Sequence, residues 1–198
     1  MTLPTPPYQL DMPDAEVWYY PRFFSTEASK AYYLELLQHI PWKADKVRMF
    51  GKWIDQPRLT ALHAINSNPY TYSGLTLYPE PFTPALQQIH SKLQEELKES
   101  FSSCLLNLYR NGNDSNGWHA DDEKELGKNP SIASISFGQD RIFHFRHKTD
   151  RHLKKRIVLE DGSLLLMKGT TQHHWQHQLP KSKKPMQPRI NLTFRNIL

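Results

Sequence analysis

His119 and Asp121 flank a single alanine, and in an extended segment residues two apart point to the same side. An imidazole and a carboxylate so placed can grip one small object between them, and a metal ion suits that pair best. With a second histidine from a distant strand, the set becomes two imidazoles and one carboxylate. This facial arrangement holds iron(II) and leaves three coordination positions open. Two of those positions suit a chelating 2-oxo acid and the third suits O2, so the chain need only fix three ligands and steer a substrate. The triplet alone is a weak signal. Ten histidines and twenty acids make chance pairs common, and a surface histidine in a Gly/Asn/Asp-rich loop would look the same.

The second histidine must come from the far end of the chain. Alternation along an extended run puts His173, Trp175 and His177 on one face and His174 on the other, which leaves His173 and His177 both open. Beyond them, Arg189 and Arg195 are six apart in one strand and share a face. Two guanidiniums directed into a barrel need anionic partners. A dicarboxylate cosubstrate would supply both through paired charge-assisted hydrogen bonds, and surface salt bridges are the plain alternative.

The elements that must carry these residues fit one domain of 198 residues, large enough to bury a core unaided. Residues 1–14, with four prolines, are expected to be an irregular arm with no packed core of its own, ahead of a single domain over 15–198. Cys104 is the only cysteine, which excludes an internal disulfide or a Cys-based zinc site and points to a reducing compartment. No apolar run approaches membrane-spanning length and the first residues lack a signal-peptide profile. The expectation is therefore a soluble intracellular protein, cytoplasmic, or nuclear in a eukaryote. The net charge is +5, with basic residues gathered in 141–156 and 181–189. Such clusters attract phosphates and suggest nucleic acid, although a solvated basic face is as common.

A strand is expected over 16–24, broken near Pro21. A helix then runs to Ile40, capped by Ser25 or Thr26 and stopped by Pro41. The stretch 46–53 suits a β-turn between short strands. Its Met49 and Phe50 either pack inward or form an apolar wedge between Arg48 and Lys52. One strand is expected over 70–77. Thr83 caps a second helix that starts at Pro84 and places Leu86, Ile89, Leu93 and Leu97 on one face. From Phe101 the pattern changes to short strands at 104–110, 132–137, 141–147, 156–160, 163–167, 173–177 and 189–195. This argues for a mainly β (α+β) protein, a sandwich or barrel buttressed on one outer face by the two earlier helices.

Asn107-Leu108-Tyr109, His119-Ala120-Asp121, Trp175-Gln176-His177-Gln178-Leu179-Pro180 and Pro188-Arg189-Ile190-Asn191-Leu192-Thr193-Phe194-Arg195 together resemble the AlkB family of iron(II)- and 2-oxoglutarate-dependent dioxygenases. The resemblance holds in order and over at least 46–198. It implies a double-stranded β-helix (jelly-roll) core over about 101–198 and a nucleotide-recognition region over about 46–80. It also implies His177 as the partner of His119 and Asp121 on Fe(II). Arg189 and Arg195 would hold the carboxylates of 2-oxoglutarate, Asn107, Tyr109 and Asn191 would complete its hydrogen bonds, and O2 would be the other cosubstrate. The implied activity is oxidative demethylation of N-alkylated bases such as 1-methyladenine and 3-methylcytosine, with release of formaldehyde, succinate and CO2.

Within the family the chain is similar to the member that acts on duplex DNA. Met49-Phe50-Gly51-Lys52 resembles its finger hairpin, whose aromatic fills the gap left by a flipped nucleotide. Tyr70-Thr71-Tyr72-Ser73-Gly74 resembles its base-holding strand, and Arg58 matches a basic position after the finger. Tyr72 and His119 would sandwich the base, while Asp122 and Glu123 would accept from its exocyclic amine or face its positive charge. Met49 is bulkier than the aliphatic residue usual there, and Tyr72 stands where phenylalanine is usual. Both bear on strand preference and lesion range, not on the chemistry. The implied partner is alkylated DNA, with RNA as the alternative, no membrane, and a monomeric state. Two rivals remain at this level: a dioxygenase of the same fold that demethylates RNA or hydroxylates a protein or small molecule, and a non-enzymatic basic β-barrel that binds nucleic acid. If Phe50 is the wedge, Phe50→Ala lowers demethylation of methylated duplexes more than that of single strands; equal loss on both places Phe50 in the core.

Overall fold

The computed structural model describes residues 6–49, 52–67, 70–72 and 75–197, with the backbone alone for 47–49, 52, 53, 70–72 and 75–77. The first half comprises β1 (Tyr8–Gln9), β2 (Glu16–Tyr20), α1 (Thr26–His39), β3 (Lys46–Met49), β4 (Lys52–Asp55), β5 (Leu59–Ala64), β6 (Tyr70–Tyr72), β7 (Leu75–Leu77), β8 (Glu80–Pro81) and α2 (Pro84–Leu97). After α2 come β9 (Ser103–Tyr109), β10 (Asn116–His119), β11 (Ile132–Gly138), β12 (Arg141–His147), β13 (Lys154–Leu159), β14 (Leu164–Lys168), the helical turn α3 (Thr171–His174), β15 (Trp175–Leu179) and β16 (Arg189–Arg195).

Both long helices start where their side chains can satisfy an orphan backbone donor. Ser25 Oγ accepts from the Ala28 amide and Thr83 Oγ1 from the Leu86 amide. Pro84 at the first position of α2 loses no hydrogen bond. The apolar stripe of α2 lies on a large sheet of order β1-β2-β14-β11-β16-β9-β5-β8, and α1 contributes Leu36 to the same core. A smaller sheet, β10-β15-β12-β13, stacks on the other face of the large one. Two opposed sheets, antiparallel but for the parallel edge pair β5–β8, with helices on one outer face make up the expected jelly-roll architecture.

The central strands of the large sheet are therefore covered on both sides, and their alternation sorts residues into two different interiors. Along β16, Ile190, Leu192 and Phe194 join the core under the helices. Arg189, Asn191, Thr193 and Arg195 point the opposite way, into a cavity between the sheets. On β9, Cys104, Leu106 and Leu108 face the helices, while Leu105, Asn107 and Tyr109 face the cavity. The antiparallel registers Asn191↔Asn107 and Arg189↔Tyr109 set these polar residues side by side.

Four local features differ from the sequence reading. The N-terminal segment, expected to be irregular and unpacked, pairs β1 with β2 and buries Leu10 and Met12 in the core between the sheets. The strand β5 was not expected; its residues after Leu59 are buried on both faces, so no polar alternation marks it. The stretch 70–77 is a hairpin with Tyr70 opposite Leu77, not one strand. The run 173–177 is likewise split: His173 and His174 belong to α3, and the strand starts at Trp175. Since Ile89 is completely buried between α2 and the sheet, Ile89→Ala should destabilise the fold by about 2–5 kcal/mol, read as a lowered urea midpoint at unchanged slope.

Candidate metal centre and anion pocket

β10 and β15 are antiparallel neighbours, and their register sets His119 opposite His177. The chain then turns so that Asp121 closes on the pair. One ligand atom from each of His119, Asp121 and His177 lies within 4.8 Å of the others. The His119 Nδ1 sits 2.7 Å from the Gly117 carbonyl and so carries the ring proton. Its Nε2 lone pair is left for a ligand role and accepts from Asn116 Nδ2 at 3.2 Å. Of the two histidines left open by spacing, His177 is in this group. α3 turns His173 away, to a contact of its Nε2 with Asn129 Oδ1 at 2.8 Å.

Asp121 is 1% exposed. Burial by itself raises a carboxyl, but Arg195 first, then His177 and His119, outweigh it and hold Asp121 at about 2. Arg195 Nη2 donates to its Oδ1 at 2.8 Å, and the Asp121 amide donates to Gln172 Oε1 at 2.9 Å. Burial pushes His177 down to about 3, with His119 adding to the shift and Asp121 opposing it; burial lowers His119 too. Two neutral imidazoles and an ionised carboxylate are the protonation states a divalent metal needs. The donor set fits iron(II), and imidazole with carboxylate in a facial group with open positions is its characteristic environment.

Deeper in the same cavity lies Arg189, 2% exposed. Its Nη2 donates to Ser136 Oγ at 2.9 Å, and its guanidinium rests over the Tyr109 ring at 5.3 Å. Its Nε has no hydrogen-bond partner, and among the described residues no acid pairs with it. Burial, with Arg141 in second place among the lowering causes, brings Arg189 down to about 10. A buried cation without a counter-ion calls for an anion, and a carboxylate of 2-oxoglutarate fits. Arg195 differs, because it already serves Asp121. Asn107 Oδ1 accepts from Arg58 Nε at 2.7 Å. The Asn191 amide donates to Ser134 Oγ and Ile135 O and accepts from Thr193 Oγ1.

Several of these partners were not singled out from the sequence. Ser134 and Ser136 carried a legible signal, two hydroxyls at alternate positions of an otherwise apolar run. Gln172 and Thr193 carried none. Arg141 belongs to the basic stretch 141–156, yet it is buried and donates to the carbonyls of Asn111, Asp114 and Pro180.

Among the expected substrate residues, Arg58 is buried and lines the cavity. Asp122 is half-exposed and pairs with Lys148. Glu123 precedes a short 3-10 turn over Lys124–Leu126. Phe50 and Gly51 lie outside the described residues, as do the side chains of Lys52, Tyr70, Thr71 and Tyr72.

A second trio, Asp14, His147 and His174, meets the same distance condition. Its hydrogen bonds argue against a metal. His147 Nδ1 accepts from the Asp150 amide at 3.1 Å, so in the neutral ring Nε2 carries the proton, and that atom faces Asp14 Oδ2 at 3.7 Å. With Trp175 Nε1 donating to Pro13 O at 2.8 Å, the trio fastens the N-terminal segment to the strand that bears His177.

Burial of a neutral His177 has a pH signature. An unfolded chain protonates this ring near 6.5, whereas the fold resists down to about 3. The unfolded state thus binds more protons in that window, and the metal-free protein loses stability as pH falls through it. Asp121 adds a further loss between 3.8 and about 2. Thermal melts of metal-free protein across pH 4–7 check this, and His177→Gln should flatten the slope.

Residues 16–195 match the family described as the 2OG-Fe(II) oxygenase superfamily. The chain is 41% identical over 186 residues to the DNA oxidative demethylase ALKBH2 of Mus musculus, covering 89% of this chain and 77% of that protein. It is 40% identical over 186 residues to the alpha-ketoglutarate-dependent dioxygenase alkB homolog 3 of Bos taurus, covering 89% of this chain and 64% of that protein. A solved structure titled "The structure of OsALKBH1" superposes with a TM-score of 0.66 at 18% identity, covering 95% of this chain and all of that one, which speaks to the fold. The triad, the unpaired buried arginine and a family match across nearly the whole length agree: the chain belongs to the 2-oxoglutarate- and iron(II)-dependent oxygenases, among the AlkB homologues.

Proposed function

We propose that the protein is a DNA repair dioxygenase that removes N-methyl groups from bases of the 1-methyladenine and 3-methylcytosine type, preferentially in duplex DNA. One observation carries the reading. A single cavity holds both the His119-Asp121-His177 group and a buried arginine that has no counter-ion among the described residues. The likeness to a relative named as a DNA oxidative demethylase supplies the substrate class.

Iron(II), 2-oxoglutarate and O2, when bound, supply the oxidation of the N-methyl carbon to a hydroxymethyl group, which leaves as formaldehyde while the cosubstrate becomes succinate and CO2. The protein's own part is positioning. His119, Asp121 and His177 would hold the metal, with Gly117 fixing the tautomer of His119. Arg189 would seat one carboxylate, and Arg195, which balances the charge of Asp121, would meet the other. Leu105, Phe143 and Leu179 give the cavity apolar walls that keep water from the reacting carbon.

A base inside a duplex must be extruded to reach this cavity, at a cost of a few kcal/mol that is least for a lesion already unable to pair. Strands β3 and β4 pair Met49 with Lys52, and Phe50, which lies between them in the sequence, would act as the wedge. Arg146, Lys148, Arg151 and Lys154 line a cleft on the smaller-sheet side that suits phosphates. His119→Ala and Asp121→Ala should each abolish formaldehyde release from methylated oligonucleotides supplied with iron(II) and 2-oxoglutarate. Full activity in either variant would remove the metal assignment.

A further inference from the structure

Gln172 and Lys148 form a clamp across the two segments that carry the metal-ligating residues. The Gln172 side-chain carbonyl accepts from the Asp121 amide at 2.9 Å, and its backbone carbonyl accepts from Lys148 Nζ at 2.8 Å. That ammonium also donates to Asp122 Oδ2 at 3.0 Å. Lys148 is anchored at its other end, where its amide donates to the His174 carbonyl at 2.7 Å. The ammonium is therefore held in place instead of swinging freely. Among the described residues it is the one cation paired with Asp122, which adjoins the metal-ligating Asp121 in the sequence and whose side chain remains 52% exposed.

We propose that Lys148 is a specificity-determining residue that acts through Asp122, widening the range of lesions from cationic ones to neutral ones. The inference rests on the demethylase reading above. A bare carboxylate next to Asp121, and so near any base whose methyl group reaches the metal, favours a positively charged lesion and repels the carbonyl edge of a neutral one. A fixed ammonium 3.0 Å away offsets much of that field, so the carboxylate still accepts from an amine without excluding an uncharged base. Because the pair is partly solvated, its leverage is moderate, up to about fivefold in an equilibrium constant.

The test compares kcat/KM for 3-methylcytosine, which is cationic near neutral pH, with that for 3-methylthymine, which is neutral and carries its methyl at the same ring position. Both are placed in the same single-stranded sequence. Lys148→Met should raise the ratio of 3-methylcytosine to 3-methylthymine by about three- to fivefold, and Lys148→Arg should keep it near that of the unsubstituted protein. Any loss of general attraction to phosphates lowers both rates alike and cancels in the ratio. In an Asp122→Asn background, Lys148→Met should leave the ratio unchanged. An unchanged or lowered ratio for Lys148→Met, the same rise without Asp122, or no turnover of 3-methylthymine by the unsubstituted protein overturns the proposal. Failure of the unsubstituted protein on both lesions would instead overturn the demethylase reading, and this inference with it.

Discussion

Asp121 keeps a negative charge in an almost waterless place because Arg195 donates to it from the neighbouring sheet. An isolated carboxylate there would neutralise itself by taking up a proton, and a protonated acid is a poor ligand. The ion pair also joins a residue of the loop after β10 to the last residue of β16, so ligand chemistry and sheet assembly are linked. Removing either partner strands the other as a buried charge.

That link works because β16 has two apolar environments and divides its residues between them. Ile190, Leu192 and Phe194 anchor the strand under the helices, which leaves the alternate positions free to be polar. Four polar side chains on one strand then line the cavity without weakening the core. The neighbours β9 and β11 follow the same division, and their antiparallel registers bring Asn107, Tyr109, Ser134 and Ser136 alongside. The helices α1 and α2 contribute no ligand. Their role is to cover the outer face so that this two-sided strand pattern can exist.

The smaller sheet is braced differently. α3 turns the chain once before β15, burying Gln172 against the Asp121 amide and sending His173 outward. Pro13 receives the indole of Trp175, two residues before His177. Arg141 collects three carbonyls at the far end of the same sheet. Each contact spans tens of residues in sequence, and together they set where β15 presents its imidazole.

Much was legible in the chain itself. The helix from Pro84 announced itself by its cap, its proline and its apolar stripe, because those signals are local. The strands of the second half, except β10, were visible from turns and alternation, and His119-Ala120-Asp121 and Arg189 to Arg195 showed their shared faces at the spacing of a strand. The resemblance carried by these motifs supplied His177 and the jelly roll. β5 and the buried N-terminal residues were not legible, since a strand covered on both faces shows no period and a short segment packs only where others leave room. The amino-acid sequence alone determined which groups were available for metal and anion chemistry. Tertiary structure decided which histidine joined them, that Arg195 and not Arg189 met an acid among the described residues, and that Lys148 rested on Asp122. Such outcomes depend on distances between segments far apart in the chain, and no local pattern encodes a distance of that kind.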